Sequence, residues 1–349
     1  MRLPCALGRP ESRWAPECCI VTGDREVAYP ETKRCHGMTG PKRRPNPFAD
    51  VQLDRVPDRR RDPRWLEERL QDPRSRLIPV WRARSLVTSG DPTSAVSIGL
   101  PLHLPDGPVG PIFLGMEGDT ARFAIDLSDS DDPLADLGVE GAVFEDLHKV
   151  GALLGRTEGA LLAYARGMVH WHRRHLFCGR CGSETSSIEG GHVRRCTSDD
   201  CGILHFPRTD PAIIVLVTSE DACLLGRQAE WPARVFSTLA GFVEPGESLR
   251  EAVIREVREE TGVTVTDVTY HSSQPWPFPS SLMLGFTATA DRSEPEVDEN
   301  ELQEARWFGR EELRGRIASG QVRLPRPVSI ARRLIEEWLE VEDPAGPEV

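Results

Sequence analysis

Between Gly241 and Val263 the chain reads Gly-Phe-Val-Glu-Pro-Gly-Glu, seven further residues, then Arg-Glu-Val-Arg-Glu-Glu-Thr-Gly-Val. No other stretch restricts the local structure as tightly. Ser248 and Glu251 make an S-x-x-E capping box and Gly262 supplies a stop, so the residues between them form one helix. Ahead of it, Gly241 and Gly246 permit a tight turn, Pro245 stiffens it, and Glu247 is returned toward the helix start. On the helix, Glu256, Glu259 and Glu260 stand at i, i+3 and i+4, three carboxylates on one face. Each like-charged pair costs about 0.2–0.5 kcal/mol, and the helix dipole disfavours anions near that end. Such a face is either solvated beside nearby arginines or a set of hard oxygen ligands for Mg2+ or Mn2+.

Around this helix the apolar pattern predicts strands over Ala212–Thr218, Cys223–Gly226, Val235–Ala240, Val263–Tyr270, Leu282–Ala290 and Ala305–Phe308, with an amphipathic helix over Ser329–Glu340. Strand, helix, strand in this order indicates a mixed α/β (α+β) domain. Further upstream, Leu77–Trp81, Val96–Ile98, Ile112–Leu114 and Ala121–Ile125 alternate with Gly/Pro/Asp turns, as in a smaller β-rich domain, and Gly159–His175 has helical spacing. The expected divisions are an extension over 1–37, disordered or translated from too early a start, then 38–156, 157–206 and 207–345.

Cys178-x2-Cys181-x14-Cys196-x4-Cys201 supplies four thiolates on two knuckles, a set that fits one tetrahedral structural Zn2+ and leaves no open position for catalysis. The second pair has two residues more than the usual spacing. His170, His172 and His175 belong to the preceding helix, and Cys223 to a buried strand. Cys5, Cys18, Cys19 and Cys35 fall in the opening tract. Cysteine pairs of this kind read as metal ligands in a cytoplasmic chain rather than as disulfides. No apolar run reaches the ~20 residues of a membrane helix, and the N-terminus lacks a signal-peptide core. The formal net charge of −12 opposes non-specific nucleic-acid binding. The stretch from Lys42 to Arg64 nevertheless carries eight basic residues against four aspartates, either a solvated arm or a phosphate-contacting patch.

Downstream of the glutamates runs Ser273-Gln-Pro-Trp-Pro-Phe-Pro-Ser-Ser-Leu-Met283. Its three prolines hold an extended backbone, Trp276 and Phe278 offer flat apolar faces, and Gln274, Ser280 and Ser281 offer hydrogen bonds. The bland alternative is a structural connection.

Taken together, these motifs resemble the Nudix hydrolases. The G-x5-E-x7-R-E-U-x-E-E-x-G-U box (U aliphatic) is met at every specified position from Gly241 to Val263, and SQPWPFP-x-SLM is similar to the motif of the NADH pyrophosphatase branch. The resemblance implies a mixed-sheet α/β/α sandwich preceded by a zinc ribbon and a smaller N-terminal domain. It implies Glu256, Glu260, the Ala240 carbonyl and Glu301 as Mg2+ or Mn2+ ligands, and Glu259 as ligand or general base. Glu247 would support the site through water or Arg255. Substrate contacts would come from Gln274, Pro275, Trp276, Pro277, Phe278, Pro279, Ser280 and Ser281, with stacking by Phe206 and a backbone contact at Ala331. Asn46-Pro-Phe-Ala-Asp, Trp65 and Trp81 are compatible with the same branch.

The implied activity is hydrolysis of the pyrophosphate of NADH or NAD+ to nicotinamide mononucleotide and AMP, in a homodimer. Removal of an NAD cap from the 5′ end of RNA by the same site is the alternative. A reading of another class is a zinc-ribbon regulator that only senses nucleotides. No hydride-transfer dinucleotide fingerprint is present.

Overall fold

A computed structural model describes residues 45–99, 107–298 and 300–340. The opening extension with its four cysteines, the basic residues Lys42, Arg43 and Arg44, and positions 341–345 of the expected last domain lie outside the described residues.

The first sheet contains β1 (Arg76–Trp81), β2 (Arg84–Thr88), β3 (Ile112–Glu117), β4 (Thr120–Asp126) and β5 (Ala142–Glu145), in the order β3-β4-β1-β2-β5. Strand alternation sends Leu77 to one face, against Trp65, Leu66 and Leu70 of helix α1 (Pro63–Gln71). Ile78 and Val80 point to the other face. There they meet Leu162, Met168 and Val169 of α4 (Arg156–Arg174), the helix expected over Gly159–His175. Two short helices, α2 (Pro133–Leu137) and α3 (Leu147–Val150), complete this part. Asp62 caps α1, with Pro63 in its first turn. The predicted strand Val96–Ile98 is instead a pair of isolated bridges, Ala95 to Val87 and Ile98 to Leu77. The segment fills in beside β1 where β2 has already ended, touching two strands once each, so no ladder forms.

A three-stranded ribbon follows, made of β6 (Thr185–Ile188), β7 (Val193–Cys196) and β8 (Leu204–His205). The last and largest sheet has the order β12-β13-β9-β10-β14, with β11 also on β9. Its strands are β9 (Asp210–Ser219), β10 (Ala222–Arg227), β11 (Leu239–Phe242), β12 (Thr269–Trp276), β13 (Ser281–Thr289) and β14 (Glu304–Gly309). Only the β9–β13 pairing within it is parallel. Ile213, Val215 and Val217 of β9 pack on Ala252, Val253 and Val257 of α5 (Leu249–Thr261). Ile214 and Leu216 turn the other way, onto Leu313 of α6 (Arg310–Ala318) and Leu334 and Ile335 of α7 (Ile330–Glu340). This is the expected mixed α/β/α sandwich, and Cys223 is core on its α6–α7 side.

Two strand expectations shift. Over Val235–Ala240 only Leu239 and Ala240 enter a ladder, while Val235 and Ser237 make single bridges. Over Val263–Tyr270 only Val265 bridges, and the strand begins at Thr269 and runs into the proline-rich segment. Pro275 is tolerated there because β12 is an edge strand and a missing N–H costs no ladder bond on its open side. Among the described residues no helix is long and apolar enough to cross a membrane.

Candidate active site

Helix α5 is built as its sequence dictates. Ser248 accepts from the Glu251 N–H, Glu251 reaches back to the Ser248 N–H, and Gly262 closes the helix in the left-handed conformation at φ 68°. Of the three glutamates on its face, Glu256 and Glu260 are buried and Glu259 is exposed. The loop after Asp291 folds over the end of α5, where the Glu296 N–H donates to the Thr261 carbonyl, and delivers Glu301. One carboxylate oxygen each from Glu256, Glu260 and Glu301 then lies within 4.8 Å of the others.

Burial pushes the Glu260 carboxyl up to about 8, and the charges of Glu256 and Glu301 add to the effect. Glu256 is also raised, by burial first, with Arg255 opposing. Glu260 bonds to the backbone of Ala240, yet its Oε2 is buried with no partner. A buried carboxyl oxygen with no partner, beside two further carboxylates, is costly without a cation, and a hard-oxygen set of this kind fits Mg2+ or Mn2+. Gly241 shares in the arrangement, since a methyl group there would overlap the Glu256 carboxyl.

Arg255 organises the rest. Its guanidinium donates to Glu247 through Nε (2.8 Å) and Nη2 (2.9 Å), to Glu256 and Glu259 through Nη1 (2.9 Å each), and to the Phe242 carbonyl. The bidentate bond from Arg255 holds the Glu247 carboxyl below its usual range. The turn ahead of α5 is thus tied to its middle, with Gly246 at φ 89° where a side chain would be strained.

Glu260 and Ala240 form one end of a cleft of about 190 Å3 whose other walls include Gln274, Trp276, Met283 and Ala331. Gln274 is fully buried. Its amide donates to the carbonyls of Pro47 (3.0 Å) and Val328 (2.7 Å) and accepts from the Ile330 N–H (2.8 Å), so it fixes the start of α7 and thereby Ala331. Trp276 and Phe278 are half-buried, and of the two only Trp276 lines the cleft. They pack edge-on to each other, Phe48 adjoins both, and His148 lies 3.9 Å from the Phe278 ring centre. Ser280 donates to Asp210. Pro275 and Pro279 are exposed, Pro277 is buried, and Ser281 pairs with Trp276 across the hairpin. Phe206, 56% exposed, does not line this cleft. Motif reading missed Thr238, which lines the cleft with a buried, unpartnered hydroxyl, and Phe242, 61% exposed beside Gly241. The first carries no motif, and the second sits at an unspecified position of the glutamate box.

In the ribbon, the sulfurs of Cys178, Cys181, Cys196 and Cys201 lie within 4.8 Å of one another. Cys178 and Cys201 are 3.8 Å apart and Cys181 and Cys196 3.4 Å, close to the roughly 3.8 Å edge that Zn–S bonds of about 2.3 Å give a tetrahedron. The two additional residues of the second knuckle form a turn from Ser198 to Gly202, the latter at φ 56°. None of the three helix histidines joins the sulfurs. His172 instead bridges the Gly191 carbonyl (2.7 Å) and Arg194 (2.9 Å).

The α/β/α sandwich, the carboxylate helix facing a cleft and the four-cysteine ribbon together define a Nudix hydrolase. The NUDIX domain model matches residues 208–326, the NADH pyrophosphatase zinc ribbon domain 173–206, and the NADH pyrophosphatase-like rudimentary NUDIX domain 74–171. Among curated relatives, the NAD-capped RNA hydrolase NudC of Mycobacterium bovis is 40% identical over 273 residues, covering 75% of this chain and 84% of that protein. The NAD-capped RNA hydrolase NUDT12 of Homo sapiens is 43% identical over 199 residues, 54% of this chain and 43% of its own. The chain therefore spans less than half the length of the primate relatives it matches. A solved NUDIX hydrolase from Nitrosomonas europaea is 25% identical, covers 47% of this chain and 88% of its own, and has a TM-score of 0.37. The chain belongs to the Nudix hydrolase family, in the branch that carries the NADH pyrophosphatase zinc ribbon.

Proposed function

We propose that this chain hydrolyses the pyrophosphate bond of NADH or NAD+, giving nicotinamide mononucleotide and AMP. The observation that carries this reading is the buried, unpartnered oxygen of Glu260, grouped with Glu256 and Glu301 at the mouth of the cleft formed by Trp276 and Ala331. Glu256, Glu260, Glu301 and the Ala240 carbonyl would hold Mg2+ or Mn2+. When bound, these ions neutralise a diphosphate and lower the pKa of the attacking water. Glu259, exposed and, among the described residues, ion-paired with Arg255, would take the proton from that water. Arg255 and Glu247 keep the helix and its turn in register. Trp276 and Ala331 contact the dinucleotide directly, Gln274 positions Ala331, and the Thr238 hydroxyl gains its missing partner from the substrate. Pro275, Pro277, Phe278, Pro279, Ser280 and Ser281 act by setting the shape of the hairpin.

The names of the relatives favour a second substrate, the NAD cap of RNA, taken by the same site. Comparing kcat/KM for free NADH and for NAD-capped RNA at one salt concentration separates the two. A purely sensing regulator has no need of the complete glutamate set. One structural Zn2+ per chain on the four cysteines, a division at 38–156, 157–206 and 207–345, and a cytoplasmic homodimer belong to the same proposal.

A further inference from the structure

A second cavity, of about 490 Å3, lies behind the β12–β13 hairpin, within the roughly 300–1,000 Å3 usual for small-molecule sites. Strand alternation separates it from the cleft. Gln274 and its cross-strand partner Met283 line the cleft, whereas Pro275 and its partner Leu282 line this cavity. Only Trp276, at the end of β12, lines both.

Three features of the cavity ask for a ligand. Its walls are largely apolar and include the rings of Tyr164 and Trp171. Trp171 is 4% exposed with an unpartnered indole N–H, and the nearest polar contact of the Tyr164 hydroxyl is His192 Nε2 at 3.5 Å, a nitrogen already 2.8 Å from the Phe113 carbonyl. Two cations, Arg55 and Arg208, stand at the wall, and neither forms an ion pair with any described residue. The Arg55 guanidinium lies 4.3 Å above the Tyr164 ring. The one acid at the wall, Asp50, accepts a hydrogen bond from Gln52. Finally, Gly167 faces the cavity from mid-α4. A Cβ there would meet only Pro277, at an ordinary 3.9 Å, so packing does not demand glycine and the space is left open.

We infer that this cavity binds a nucleoside monophosphate, separately from the metal cleft. The base lies against the aromatic wall and the phosphate is held by Arg55 and Arg208, whose planar forks suit phosphate oxygens. Trp276, shared by both spaces, carries the effect of occupancy to the cleft. The inference does not depend on the hydrolytic reading. Its test is calorimetric titration of the full, zinc-loaded chain with AMP, adenosine and inorganic phosphate, without added Mg2+ or Mn2+. AMP is expected to bind at least 10-fold more tightly than either fragment, and equally well to Glu260→Gln. The double variant Arg55→Ala/Arg208→Ala and the cavity-filling Gly167→Leu should each weaken AMP at least 10-fold. The inference is overturned if AMP gives no binding up to millimolar concentration or phosphate alone binds as well. It is equally overturned if Glu260→Gln abolishes binding, or if the double arginine variant leaves it unchanged. Both arginines are exposed, so that variant decides the matter even if Gly167→Leu does not fold. NADH hydrolysis measured with Mn2+ on the same preparations shows separately whether the proposed activity holds.

Discussion

Gly241 and Glu260 show how single residues set the chemistry. Because any side chain at 241 would occupy the space of the Glu256 carboxyl, Gly241→Ala is expected to displace Glu256 and weaken Mn2+ binding at least 10-fold, read by titration of the free ion. The fold should survive, since the overlap is with a side chain and not with backbone. Glu260 makes a prediction about pH. Its carboxyl is raised to about 8 in the folded protein, above an ordinary value of 4.5, so the folded state binds the proton more tightly. In metal-free protein that stabilisation is complete below about 4.5 and is lost as pH rises toward about 8. Metal-free protein should therefore melt at lower temperature at pH 8 than at pH 6, and Mn2+ should narrow the difference. Mn2+ affinity should rise over the same interval, because binding must release that proton. A melting temperature of the Mn2+-free protein that does not fall between pH 6 and pH 8 would show that Glu260 titrates normally.

At the scale of elements, α5 was legible because its signals are local: a cap, a stop and a charge pattern within 15 residues. The hairpin was only half legible. Its proline motif marked the segment, but sequence spacing could not show that β12 would be an edge strand, nor that Gln274 would be drawn inward by carbonyls at Pro47 and Val328, far away in the chain. The strands β2 and β5 and the helices α1 and α6 were not anticipated, as their short apolar patterns acquire a face only once the sheets assemble. Gln274→Met tests the strut directly. It leaves two carbonyls and the Ile330 N–H without partners, each worth about 1–3 kcal/mol when buried. Denaturant melts should show a loss of roughly 3 kcal/mol or more, together with a raised KM for dinucleotide as Ala331 shifts. An unchanged KM would mean that the start of α7 does not touch substrate.

Across the whole molecule, the ribbon joins two sheets, each with helices on both faces. Besides its four cysteines it is held by the His172–Gly191 bond and by His192, whose ring meets the Phe113 carbonyl of β3. Structural zinc contributes about 10–16 kcal/mol in isolated fingers, and a ribbon of three short strands has little core to replace it. Cys201→Ser is expected to lose the single zinc by elemental analysis and to become sensitive to proteolysis between Cys178 and Leu204, while the large sheet stays folded. Zinc retained at one per chain in that variant would remove the ribbon assignment. The cysteine spacing made the ribbon visible in sequence, whereas the histidine ties, 19 and 79 residues apart, were not visible.

The central claim is that clustered glutamates on α5 and its covering loop organise divalent ions against a diphosphate. Mass spectrometry of NADH hydrolysis in H2 18O with Mg2+ or Mn2+ tests it most directly. The account predicts AMP and reduced nicotinamide mononucleotide as products, one 18O in one of the two phosphates, no turnover with chelator, and at least a 100-fold loss in kcat for Glu259→Gln and Glu260→Gln. Undiminished cleavage by both variants, or cleavage that persists in chelator, would contradict it.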